Sequence, residues 1–196
     1  MKRVRLRFQS IQQIVGDEGL AVIILTDEER KRALSVVCDN SMSQQMLLRH
    51  LSPKICRTFL PEALLAMLPR VDHEMTVFGI HDGQYQVVLA DSDYVQTVRV
   101  RMSDAVLLTI IDENIPLYIE QTLFNRQSVD FDLNATGIAI PINTMDRRHL
   151  HEALNHAIEV ENYELASHLR DEINRRKQAE TQRETDKQNA EHTSDP

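Results

Sequence analysis

The sequence predicts an α+β fold: a mostly antiparallel or mixed sheet with inserted helices, followed by a C-terminal helical hairpin. Three observations predict it. Short runs of alternating apolar and polar residues recur along the first two thirds, separated by turn signals such as His81-Asp82-Gly83-Gln84. Only a few helical patterns interrupt those runs. From Leu150 to Ile173 the period changes, and apolar residues recur every three or four positions, as they do on helices.

Taken in order, Val4, Leu6 and Phe8 alternate with Arg3, Arg5 and Arg7, a half-buried strand with a basic outer face. Gly16 to Gly19 is a hairpin turn, and Leu20 to Leu25 a more buried strand. Asp27 to Arg32 is a charged turn, and Ala33 to Cys38 a third strand. Asn40 or Ser41 caps a helix that runs to Leu51 and stops at Ser52-Pro53. Pro61 suits the first turn of a second helix, ending near Pro69. Met75 to Ile80 and Tyr85 to Ala90 form a hairpin around the Asp82-Gly83 signal. Asp91-Ser92-Asp93 turns into a strand from Tyr94 to Met102, with Arg99 and Arg101 on one face. Ser103 caps a helix from Asp104 to Glu113, ended by Asn114 and Pro116. Leu117 to Ile119 is a short strand, and Gln121 to Asn125 a helical turn. Arg126 to Asn143 has little periodicity and reads as connecting chain. The organisation expected is therefore a domain over 1–130, a connector over 131–144 and a hairpin over 145–177. Beyond Lys177 no large apolar residue occurs, so 178–196 reads as a polar tail, disordered or a fraying helix.

Composition narrows the function classes. The chain has 196 residues, enough for one ordinary domain and an appendage, and 42% of them are hydrophobic. The net charge is −8. The acidic excess is spread, with 14 basic and 18 acidic residues through Asn143 and 8 and 12 after it. That argues against a broad basic footprint for nucleic acid and leaves room for a local basic strip. Arg3, Arg5 and Arg7 with Arg99 and Arg101 form one if their strands pair. Otherwise they are a solvated face matched to Glu and Asp neighbours, the reading favoured here. Cys38 and Cys56 have no zinc or redox spacing and read as reduced, partly buried thiols of a cytosolic protein. No apolar leader follows MKRVRLRF, and Leu20 to Leu25 is too short to span a bilayer, so a soluble cytoplasmic protein is expected.

The C-terminal stripes are Leu150, Ala153, Leu154 and Ile158, then Leu165, Ala166, Leu169 and Ile173, with a polar break at Glu161-Asn162-Tyr163. The segment resembles the UVR motif, a helical hairpin of excision-repair proteins. Leu150, Ala153, Ala157, Glu161, Tyr163, Glu164, Ala166, Leu169, Arg170, Asp171 and Ile173 carry the match. The resemblance implies docking of a protein partner through Leu150, Leu154, Tyr163, Ala166, Leu169, Arg170 and Ile173.

From Leu34 to Ile119 the chain resembles the bifunctional nuclease domain, a bacterial family. VRVRMSDAVLLTIIDENIPLYI is the strongest block, matched at Arg101, Ser103, Asp104, Ala105 and Pro116. LSVVCDNSMSQQMLLRHL and the Asp82-Gly83 hairpin add to it. The chain departs from the family at two places. Asp39 and Met42 stand where the family has Gly and Glu. Leu60, Pro61 and Glu62 stand where it has Thr-His-Asp. The resemblance implies a metal-dependent DNA or RNA phosphodiesterase, with Asp104 holding Mg2+ or Mn2+. Arg101 and Ser103 would contact phosphate, and Glu62 complete the set. It also leaves an inactive adaptor acting through the hairpin, with a homo-oligomer formed through the sheet.

Each candidate has a plainer role. Ser103 and Asp104 suit a helix start, where a carboxylate meets the positive end of the dipole. Glu62 is a first-turn acid. Asp91 and Asp93, and His81 and Asp82, suit turns. His149, His151, His156 and His168 lack metal spacing and read as exposed helix histidines.

Overall fold

A computed structural model describes residues 2–14, 17–67, 72–91, 95–132, 141–145 and 147–192. The turn expected at Gly16, the helix end at Pro69, Asp93, the strand start at Tyr94 and positions 133–140 of the connector lie outside these. The chain divides into two compact units, Met1–Thr144 and Met145–Pro196. The architecture is α+β.

The first unit is built from β1 (Arg3–Ile14), β2 (Asp17–Thr26), β3 (Arg32–Asp39), α1 (Asn40–Leu51), α2 (Pro53–Cys56) and α3 (Leu60–Met67). It continues with β4 (His73–His81), β5 (Gln84–Asp91), β6 (Thr97–Val100), α4 (Met102–Ile111), β7 (Leu117–Glu120), α5 (Gln121–Gln127) and β8 (Val129–Asp130). Among the described residues these strands form one eight-stranded sheet in the order β6-β5-β4-β7-β1-β2-β3-β8. It is mixed, because β7 returns through α4 to lie parallel to β4, with Met75 opposite Leu117 and Val77 opposite Ile119. Ala21 to Thr26 in β2 are all buried, as expected of a strand covered on both faces. β1 alternates instead: Leu6 enters the core while Arg5 and Arg7 stay outside it.

The β4–β5 hairpin turns at Asp82 and Gly83, both with positive φ, the conformation an Asp-Gly pair supplies. Asp91 accepts from the backbone N–H of Val95 at 2.8 Å. Two helix starts differ from expectation. α1 is capped by Asp39, whose carboxylate accepts from the Met42 N–H at 2.8 Å. α4 begins at Met102 with Arg101 as its flanking residue, so Ser103 lies in the first turn and caps nothing. The strand expected from Tyr94 to Met102 is described as β6, Thr97 to Val100.

The connecting chain after Arg126 also holds more structure than its periodicity suggests. α5 runs to Gln127, and β8 pairs with the edge of β3. Arg32 clamps it: Nε donates to the Ser128 hydroxyl at 2.7 Å, and Nη1 donates to Asp130 at 3.2 Å. A two-residue strand shows no alternation, so no sequence pattern reveals it.

The second unit pairs α6 (Arg147–Glu159) with α7 (Tyr163–His192). α7 continues past Lys177, where the apolar pattern ends. The turn between the helices is a Schellman closure: Asn162 N–H donates to Ala157 at 2.8 Å and Glu161 N–H to Ile158 at 3.1 Å. Glu161 takes the left-handed conformation, φ 59°. Asn162 then caps α7, accepting from the Leu165 N–H at 3.2 Å. Among the described residues no helix is long and apolar enough to cross a membrane.

Candidate functional site at the start of helix α4

β3 ends, α1 begins and α4 begins at the same place, beside the β4–β5 turn. Together they enclose a cavity of about 230 Å3. Cys38 and Asp39 line it from β3, Gln84 and Tyr85 from β5, and Arg101 and Ser103 from the α4 start; Thr144 closes it. Asp104 joins through Arg101, whose Nε donates to Oδ2 at 2.7 Å and whose Nη2 donates to Oδ1 at 3.2 Å. Three of the four residues proposed for catalysis, Arg101, Ser103 and Asp104, therefore do meet.

Their charges are interlocked. The Asp104 hydrogen bond and charge raise the Arg101 pKa, with Asp39 adding to it. Asp39 is held below the ordinary carboxylate range, chiefly by the Met42 N–H and also by Arg101. Burial and then the Asp39 charge push the Cys38 thiol up to about 12, so it stays neutral and is a poor nucleophile. Burial likewise raises the Tyr85 hydroxyl. That hydroxyl is sealed from solvent and has no hydrogen-bond partner among the described residues. Sequence reasoning missed both Asp39 and Tyr85. Asp39 stands out only as a departure from the family pattern and Tyr85 only as the start of a strand, and no spacing marks either as part of a site.

Glu62 is elsewhere. Its Oε2 accepts from Arg49 Nη2 at 3.0 Å. Its Oε1 lies 2.7 Å from Arg49 Nε, in charge contact but out of line for a hydrogen bond. Arg49 is 4% exposed and Glu62 14%. Arg49 also donates to the Gln45 carbonyl at 3.0 Å. The pair ties α3 to α1 and holds Glu62 in a structural role.

The single basic strip does not form. β6 is an edge strand, and β5, β4 and β7 separate it from β1. Arg3 pairs with Glu74, and Arg5 and Arg7 with Glu28 at 4.0 and 3.3 Å. Arg99 lies over the Phe78 ring at 6.0 Å.

The carboxylates at the α4 start are Asp39 and Asp104, both within charge reach of Arg101. Mg2+ or Mn2+ is commonly held by one or two carboxylates, with water and substrate phosphate completing the shell. Both Asp104 oxygens are engaged by Arg101, and Asp39 accepts from the Met42 N–H. Among the described residues no three His, Cys, Asp or Glu side chains gather to hold a metal, so an all-protein cage is not offered.

In the hairpin, Leu150, Ala166, Leu169 and Ile173, expected to touch a partner, are buried, and Leu154 is half-buried. These residues are on the side where α6 packs on α7. Tyr163 and Arg170 are exposed. Ile158 and Leu165, expected in the buried stripe, are exposed with Val160 and Tyr163 around the turn. The apolar surface open to a partner is thus the tip of the hairpin. Its base is fixed by Arg176, which is buried and donates to Glu172 at 2.7 Å and to the Met145 carbonyl at 2.7 Å. His151, His156 and His168 are exposed.

Compared with known proteins, the chain matches no family model and no curated sequence.

Proposed function

We propose that the first unit is a bifunctional-nuclease-type domain that binds and cleaves DNA or RNA phosphodiesters at the α4 start. The observation that carries this reading is the meeting of Arg101, Ser103, Asp104 and Asp39 around one cavity. Asp104 and Asp39 would hold Mg2+ or Mn2+, which would supply Lewis-acid stabilisation of the scissile phosphate when bound. Arg101, paired with Asp104 in the free chain, would turn its permanent positive charge to phosphate oxygens as Asp104 takes the cation. Ser103 supplies a hydroxyl donor and the positive end of the α4 dipole. Free, buried Cys38 and Cys56 suit a reducing bacterial cytoplasm.

A second reading, an adaptor without catalysis, draws support from two observations. Both Asp104 oxygens are engaged by Arg101, and Glu62 is locked on Arg49. The hairpin tip meanwhile exposes Ile158, Val160 and Tyr163, a small apolar surface for a protein partner.

The test is cleavage of plasmid DNA and single-stranded RNA by the full chain with Mg2+, Mn2+ or EDTA, beside Asp104→Ala and Arg101→Ala. Metal-dependent cleavage lost in both variants supports the nuclease reading. No cleavage by the wild-type chain, or equal cleavage by Asp104→Ala, removes it. Partner capture that Tyr163→Asp abolishes and Asp104→Ala leaves intact would then carry the adaptor reading.

A further inference from the structure

The helices of the first unit leave a large apolar surface uncovered. α3 has the sequence LPEALLAM, and none of its residues is buried. Its one charged side chain, Glu62, is engaged by Arg49. Leu60, Leu64 and Met67 recur at i, i+4 and i+7 and so share one face of the helix. With Leu51 of α1 and Ile55 of α2, these side chains are 54–83% exposed. Five large apolar side chains this exposed on three successive helices are more than the scattered single apolar residues of an ordinary surface. Beside Leu60 and Leu64 lies an apolar groove of about 280 Å3, lined also by Leu65, Leu89, Leu108 and Ile115.

We propose that this face is a two-fold interface between copies of this chain, with the α3 leucines of each copy seated in the groove of the other. A two-fold contact requires one patch to be complementary to itself, and here the ridge and the groove adjoin on the same surface. A stable interface buries about 800 Å2 per partner, and these exposed side chains would form the apolar centre of one. Two stripes of leucine and methionine, free of charge, meet the need of an interface core. The sheet edge is a poorer candidate: β6 is four residues long and bears Arg99, features that discourage edge pairing. The inference is independent of whether the α4 start cleaves anything.

Sedimentation equilibrium of the full chain over a micromolar concentration series tests it. The wild-type chain should be a dimer. Leu64→Glu should be a monomer with unchanged far-UV circular dichroism, and Val98→Glu, on exposed β6, should remain a dimer. Should Leu64→Glu lose its helical signal, Met67→Glu decides instead, with the dissociation constant expected to rise about tenfold or more. A monomeric wild-type chain overturns the proposal, whether solvent or the chain's own hairpin covers the face. So does a dimer that survives the α3 substitutions or that Val98→Glu dissociates.

Discussion

Glu62 and Asp104 hold the same place in two helices. Each is the acid of the first turn, of α3 and of α4, and each engages an arginine through both oxygens. Their surroundings differ. The Glu62–Arg49 pair is almost closed to solvent, at 14% and 4% exposure, whereas Asp104 is 35% and Arg101 69% exposed. A pair withdrawn from water has already lost its hydration, and each member depends on the other to offset that loss. Asp104 and Arg101 keep much of their hydration and sit beside a cavity, so either can exchange its partner for a ligand at little expense. Identical residue chemistry therefore gives a structural tie at one helix start and an available site at the other.

That contrast is broken most sharply by removing the buried member. Glu62→Ala leaves the Arg49 guanidinium buried without its counter-charge and should lower unfolding stability by about 3–5 kcal/mol. Urea unfolding of the purified variant measures it. A loss no larger than that of an exposed pair would mean that water reaches Arg49 and that the two sites are alike after all.

The hairpin supplies a third case. Burial raises the Glu172 carboxyl, but hydrogen bonds from Arg175 and Arg176 outweigh it, and its pKa lies below the ordinary value of 4.5. A depressed acid stabilises the fold fully above its unfolded pKa and loses that contribution as pH falls through its folded value. Hydrogen-exchange protection of α6 and α7 should therefore weaken on acidification below about pH 4.5, the unshifted value. Arg176→Ala should cost about 1–3 kcal/mol there, because Glu172 and the Met145 carbonyl both lose a donor. The same variant should flatten the acid limb, and an unchanged limb would take Glu172 out of the account.

The smallest effect belongs to Asp104→Ala. An exposed ion pair contributes about 0–1 kcal/mol, so thermal unfolding should shift little. Activity lost in this variant then reports on the site itself. Activity lost in Glu62→Ala would report on folding, a distinction that unfolding curves for both variants make directly.

The sequence by itself determined the elements with a period. Alternation marked β1, and the Asp82-Gly83 pair marked the β4–β5 turn, because local backbone preference and one-sided burial act over a few residues. The three- and four-residue recurrence from Leu150 to Ile173 marked the helical hairpin for the same reason. Arg101, Ser103 and Asp104 came together as candidates through the resemblance of their block to the bifunctional nuclease domain, not through any period. Only the tertiary structure decided what each charged group faces. Strand order parts β6 from β1 and dissolves the basic strip. Packing of α3 on α1 gives Glu62 to Arg49. The meeting of β3, β5 and α4 adds Asp39 and Tyr85 to the cavity. Arg32 holds a two-residue strand that no pattern announces. Periodicity records which face of an element is buried. Pairing across many tens of residues depends on strand order and helix packing, which no local spacing encodes.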